Sequence, residues 1–198
     1  MKQLIVDYLP FEIQADQINE SMKENNGKLV VKGVLQRADT KNQNGRVYPK
    51  EILMREAKKY FSNFINQKRA MGELDHPESS VVNLANVSHN ITEMNWNGDD
   101  LLGTVEVLST PSGNILKELF KSGIKLGISS RGLGSVEPVN EKNGEDTVEV
   151  QPDFELIAFD FVSNPSTHGA FMRPVNEGVE KQKPETKVES IINSIMRG

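Results

Sequence analysis

The segment 87–108 restricts the fold more than any other part of the chain. Ser88-His89-Asn90-Ile91-Thr92-Glu93-Met94-Asn95-Trp96 reads as one strand and Leu101 to Leu108 as its partner, joined by Asn97-Gly98-Asp99-Asp100. Asn-Gly supplies the positive φ angles of a tight hairpin turn, so these strands are expected to run antiparallel. Lys28 to Arg37, with Leu29, Val30, Val31 and Val34, also alternates as a strand. Further strands are expected from Lys125 and from Thr147 to Val162, the latter reached through a turn around Asn143-Gly144. Gln3 to Tyr8 reads as a strand or an ordered arm, and Ala15 to Glu24 as a weak helix ending at Asn25-Asn26-Gly27.

Two stretches carry clear helical spacing. Pro49 opens one from about Lys50 to Lys68, with Ile52, Leu53, Tyr60, Phe61, Phe64 and Ile65 on a core-facing stripe. Thr110-Pro111 opens the other, packing Ile115, Leu116, Leu119 and Phe120 and closing at Gly123. Strands interrupted by helices, without regular βαβ alternation, predict an α+β domain on a mostly antiparallel sheet or barrel.

Composition narrows the function. At 198 residues with 36% apolar and 26% charged residues, the chain suits one soluble core. No apolar run approaches the roughly 20 residues of a membrane span, and the N-terminus does not read as a signal peptide. The net charge of −5 and the lack of a basic block argue against nucleic acid as a partner. With no cysteine, disulfides, thiol catalysis and cysteine zinc sites are excluded. Neither a metal nor a cofactor is expected. After Phe171-Met172-Arg173-Pro174, Val175 to Lys187 is rich in Glu, Lys, Gln and Pro and reads as a flexible charged tail. Val188, Ile191, Ile192 and Ile195 beyond it could form one face of a docking helix.

Of the three histidines, His76 stands out in Gly72-Glu73-Leu74-Asp75-His76-Pro77. Glu73, Asp75 and Glu78 are near enough in sequence to raise its basicity. His89 reads as a surface or ladder residue, and His168 lies in a Pro-Ser-Thr-His-Gly turn. About fifty residues after His76 comes Gly127-Ile128-Ser129-Ser130-Arg131-Gly132-Leu133-Gly134. Alternation turns Leu126 and Ile128 to the core, leaving Ser129 with Gly127 and Arg131 on the open face. The glycines would admit a peptide backbone, and free N–H groups beside Arg131 could stabilise an oxyanion. A serine needs an imidazole to take its proton, and the imidazole needs a third group to hold its tautomer. Asp160, set among apolar strand residues, is the leading candidate for that group, with Asp153 and Glu155 weaker. Ser130 remains the alternative nucleophile.

Three segments together carry a family resemblance: Asn42-Gln43-Asn44-Gly45-Arg46-Val47-Tyr48-Pro49-Lys50, the His76 segment, and Gly127 to Ser135. A fourth, Asp160-Phe161-Val162-Ser163-Asn164-Pro165-Ser166, adds to them. In this order, over about residues 28–174, they resemble the prohead core proteases of T-even-type tailed phages. The resemblance implies a serine endopeptidase related in fold to the herpesvirus assembly proteases, a β-barrel ringed by helices. It implies action inside the assembling prohead, in the host cytoplasm, on scaffold or core proteins and the major capsid protein, and a homo-oligomeric state. By matched position His76 is the base, Ser129 the nucleophile and Asp160 the third member.

Such enzymes cut after Glu in Leu/Ile-x-x-Glu-like sites, and Leu9-Pro10-Phe11-Glu12 fits that pattern. Self-cleavage after Glu12 is therefore expected, making 1–27 an arm or propeptide region, 28–174 the protease domain and 175–198 the tail. Arg46 and Arg131 are candidates to read the substrate glutamate, with Arg131 and Gly132 also considered for the oxyanion site. The alternative is a non-enzymatic head assembly or scaffold protein on the same fold. A metal-dependent hydrolase built on Glu73, Asp75 and His76 is a third reading.

Overall fold

The computed structural model describes residues 3–8, 15–77, 79–139, 147–163, 173–174 and 196. The hairpin is present as β5 (Val87–Asn97) and β6 (Asp100–Val107), turning at Gly98 with φ 61°. They lie in a five-stranded sheet with β2 (Leu29–Arg37), β4 (Met71–Glu73) and β11 (Arg173–Pro174), in the order β11-β2-β6-β5-β4. A second sheet has the order β1-β7-β10, from β1 (Gln3–Tyr8), β7 (Gly127–Gly134) and β10 (Glu155–Val162). A third joins β3 (Arg46–Val47), β9 (Thr147–Val150) and β8 (Val136–Val139). Only the β3–β9 pair is parallel among these ladders.

The expected barrel needs correction: among the described residues the strands form three sheets that do not close. The first two sheets meet at one parallel bridge, Leu74 to Phe161, with β1 and β11 as the outer edges. The turn around Asn143-Gly144 lies outside the described residues, as do Glu12, His168 and the tail apart from Met196. Met196 is 3% exposed and belongs to the hydrophobic core.

Helix α1 (Ala15–Glu24) leads into β2. Helix α2 (Lys50–Tyr60) is shorter than its spacing predicts, because Phe61–Ile65 widens into a π turn. There Asn66 N–H donates to the Phe61 carbonyl and Arg69 N–H to that of Phe64, each five residues back. Ile52, Leu53, Tyr60 and Ile65 are nevertheless buried, as the stripe requires. Helix α3 (Pro111–Lys121) is capped by Thr110, whose hydroxyl accepts from Gly113 N–H at 3.0 Å and donates to the Val87 carbonyl, tying the helix to β5. Leu116 and Phe120 face the core, but Ile115, expected to pack, is 54% exposed.

One close approach sets the site. A Cβ on Gly72 would lie 1.9 Å from the Phe159 carbonyl oxygen and 2.3 Å from His89 Nε2. Glycine there lets β4 come against β10, which brings the His76 turn to the strand carrying Asp160.

Candidate active site

Three neighbouring segments supply the site. Asp160 on β10 stands opposite Ser129 on β7 in the antiparallel register. Beyond β4, Leu74 bridges to Phe161 and Asp75 N–H donates to the Phe161 carbonyl at 2.7 Å. Asp75 adopts φ 69°, and its carboxylate accepts from His76 N–H at 2.9 Å. Pro77 further restricts the backbone of His76. A strand end and a tight turn thus aim the imidazole across β10 toward β7.

The result is a line of contacts. His76 Nε2 is 2.6 Å from Ser129 Oγ, and His76 Nδ1 is 2.9 Å from Asp160 Oδ2. The latter contact is close enough for charge pairing but does not have the alignment of a straight hydrogen bond. Catalytic contacts commonly tighten only once substrate is bound. Asp160 Oδ1 accepts from Glu73 N–H at 2.9 Å. Ser130 faces away, its hydroxyl accepting from Gln36 Nε2 at 2.8 Å. Of the two serines, Ser129 is the one on the imidazole.

The face bearing Ser129 is closed, which corrects the expectation of an open one. Ser129 and Arg131 are both 0% exposed. Arg131 has its guanidinium within 2.9 Å of Asp160 Oδ2 through Nε and 3.0 Å from Glu73 Oε1 through Nη2, while Nη1 donates to the Ser79 carbonyl at 2.6 Å. Two buried carboxylates around one guanidinium meet the requirement that a buried charge be paired. β7 is also a centre strand, bordered by β1 and β10, rather than a kink with free N–H groups. Gly132 makes room for the core: a Cβ there would lie 2.3 Å from Phe154 Cε2. Arg46 lies on another face of the strand, donating to Asp7 at 2.9 Å.

His89 also departs from its surface reading. It is fully buried, bonded to Ser88 Oγ at 2.8 Å and donating from Nε2 to the Phe159 carbonyl at 2.9 Å. Burial lowers its pKa to about 4, despite the nearby Asp160 charge. Glu73, Asp75 and His76 do not converge: Glu73 turns to Arg131, Asp75 to backbone, and His76 to Ser129 and Asp160.

Sequence reasoning missed Asp7, 1% exposed and held by Tyr48 Oη, Arg46 Nη1 and Asn44 Nδ2. The signal was present: strand alternation puts Asp7 on the same side as Ile5, which is 0% exposed.

A serine facing an imidazole that faces a buried aspartate, on packed antiparallel sheets, defines the serine hydrolase class. A sequence model of the prohead core protein serine protease family matches residues 5–182. The chain is 34% identical over 160 residues to the prohead core protein protease of Enterobacteria phage T4, covering 79% of this chain and 73% of that protein. It is also similar to the solved capsid assembly protease gp21 of bacteriophage T4, with a TM-score of 0.68 and 26% identity over 83% of this chain and 99% of that one. The chain belongs to the prohead core protein serine protease family, and is a peptidase of phage capsid maturation.

Proposed function

We propose that the chain is a serine endopeptidase that cuts scaffold or core proteins and the major capsid protein inside the assembling prohead, using Ser129, His76 and Asp160. The observation that carries this reading is the 2.6 Å contact of His76 Nε2 with Ser129 Oγ. In the reaction His76 takes the hydroxyl proton as Ser129 Oγ adds to the scissile carbonyl. The proton then passes to the departing amine as the C–N bond breaks, leaving an acyl-enzyme ester. Water, deprotonated by the same imidazole, releases the acid and restores the serine. Asp160 holds the proton on Nδ1 so that Nε2 is free to accept.

Arg131 enters this reading as a positioning residue. Its nitrogens already serve Asp160, Glu73 and the Ser79 carbonyl, so it fixes the Asp160 carboxylate instead of meeting the oxyanion. Cleavage after Glu in Leu/Ile-x-x-Glu-like sites, and self-activation after Glu12, belong to the same proposal. Two features support self-activation. Ser129 has its base aligned yet no exposed surface, as suits activity held in check. Tyr8 pairs with Ser129 in the sheet, and Glu12 follows it by four residues, within about 14 Å of extended chain.

The test is co-expression of wild type or Ser129→Ala with the cognate scaffold protein, followed on a gel. Scaffold loss is expected with wild type alone. Equal loss with both would refute Ser129 as nucleophile, and would favour a non-enzymatic role if a Ser130→Ala protein behaved the same.

A further inference from the structure

The Asn42–Tyr48 motif takes no part in the triad, yet it forms a preorganised site. Asn42 Oδ1 accepts from both Asn44 N–H and Arg46 N–H at 3.0 Å, closing a tight turn completed by Gly45 at φ 72°. The turn is anchored to β9 by Val148 N–H donating to the Gly45 carbonyl at 2.8 Å. None of these bonds involves the N-terminus.

This turn grips β1. Asn44 Nδ2 and Arg46 Nη1 each donate twice, to Asp7 Oδ1 at 2.9 Å and to the Val6 carbonyl at 2.9 and 2.7 Å. The Tyr48 hydroxyl donates to Asp7 Oδ2. Burial first, and then the Asp7 charge, push the Tyr48 pKa well above its ordinary value, so the group stays a donor. On its other edge β1 pairs with β7 from Gln3 opposite Gly134 to Tyr8 opposite Ser129, and Ile5 enters the core. Without β1, Tyr48 Oη would lose its carboxylate partner and the nucleophile strand would have an open edge.

We propose that Asn44, Arg46 and Tyr48 are a docking site for the chain's own N-terminal strand, so that Gln3–Tyr8 remains in the sheet behind Ser129 after the bond following Glu12 is cut. The inference rests on the self-cleavage reading above. It makes the N-terminal segment a retained, non-covalent part of the mature enzyme rather than a propeptide that is shed, and it assigns Arg46 to the strand instead of the substrate.

The experiment uses full-length protein with a site for an unrelated sequence-specific protease inserted after Leu9, which gives a nick whether or not the chain cuts itself. After nicking, the N-terminal piece is expected to stay with the domain through gel filtration and native mass spectrometry, separating only under denaturing conditions. In the Asp7→Ala protein the nicked piece is expected to leave, with labelling of Ser129 by a fluorophosphonate probe falling at least tenfold. Added peptide of residues 1–9 should restore labelling, and the same peptide with Asp7→Ala should not. An un-nicked protein carrying both Asp7→Ala and Glu12→Ala, which cannot cut itself after residue 12 and so keeps its strand tethered, serves as the folding control by circular dichroism. Loss of the piece from nicked wild type with undiminished labelling would overturn the proposal. So would equal retention in the Asp7→Ala protein. An unprocessed N-terminus in wild type that cleaves scaffold would count against self-cleavage alone, since the engineered nick tests docking separately.

Discussion

Two buried aspartates flank β7, and they are held in different ways. Asp160, on the β10 edge, stands opposite Ser129; Asp7, on the β1 edge, stands opposite Ser130. Each has an arginine. Arg131 has no exposed side-chain surface and is shared between two carboxylates, while Arg46 is 22% exposed and joined on Asp7 by a tyrosine and an asparagine. On the Asp160 side the charges are sealed together beside His76, the proposed base. On the Asp7 side neutral donors share the work, and the outcome is attachment. The same residue type, equally buried, meets an imidazole on one face and holds a strand to a turn on the other.

The largest expected effect tests the catalytic side. In the proposed mechanism Asp160 holds the His76 tautomer, so Asp160→Asn should lower kcat by roughly 10⁴-fold with a folded protein. Steady-state kinetics on a peptide substrate would measure this, and a loss below tenfold would erase the distinction between the aspartates. Next come the two arginines. Arg131→Met strands two buried carboxylates and should cost about 3–5 kcal/mol in urea unfolding. Arg46→Met leaves Asp7 two other donors and should cost only about 1–2 kcal/mol. Equal losses would mean that the two clusters do the same job.

The remaining effect is one of pH and concerns His89, which lies under the Asp160 side. Its folded pKa of about 4 is below the unfolded value near 6.5, so the unfolded chain binds the extra proton as pH falls. Stability should therefore decline between about pH 6.5 and 4, with roughly 2 kcal/mol lost from this residue between pH 7 and 5. Denaturant unfolding at both pH values should show a shallower decline in His89→Gln than in wild type. An unchanged slope would show that His89 is not held neutral by the fold.

The hairpin, the α3 cap and the stripe on α2 were legible because each depends on neighbours in sequence: Asn97-Gly98, Thr110 with Gly113, and Ile52 with Leu53. His76, Ser129 and Asp160 could be proposed for a similar reason, each lying in a short segment that favours its type. Exposure was harder to read. Ser129 and Arg131 alternate away from Ile128, but alternation tells only that two faces differ. With both faces covered, that side is as buried as the other. His89 was misread on the same ground, since its polar neighbours say nothing of Phe161, which meets it edge to face with ring centres 4.7 Å apart.

By itself the sequence determined the antiparallel hairpin, the helices and the residue types able to perform acyl transfer, because turn chemistry and side-chain period act over a few residues. Tertiary structure alone decided which charges meet. Arg131 reaches Glu73 across 58 positions and Asn44 reaches Asp7 across 37, distances over which no local pattern carries information. A buried charge must find its partner wherever the folded chain places one, so the pairing becomes readable only when the strands are side by side.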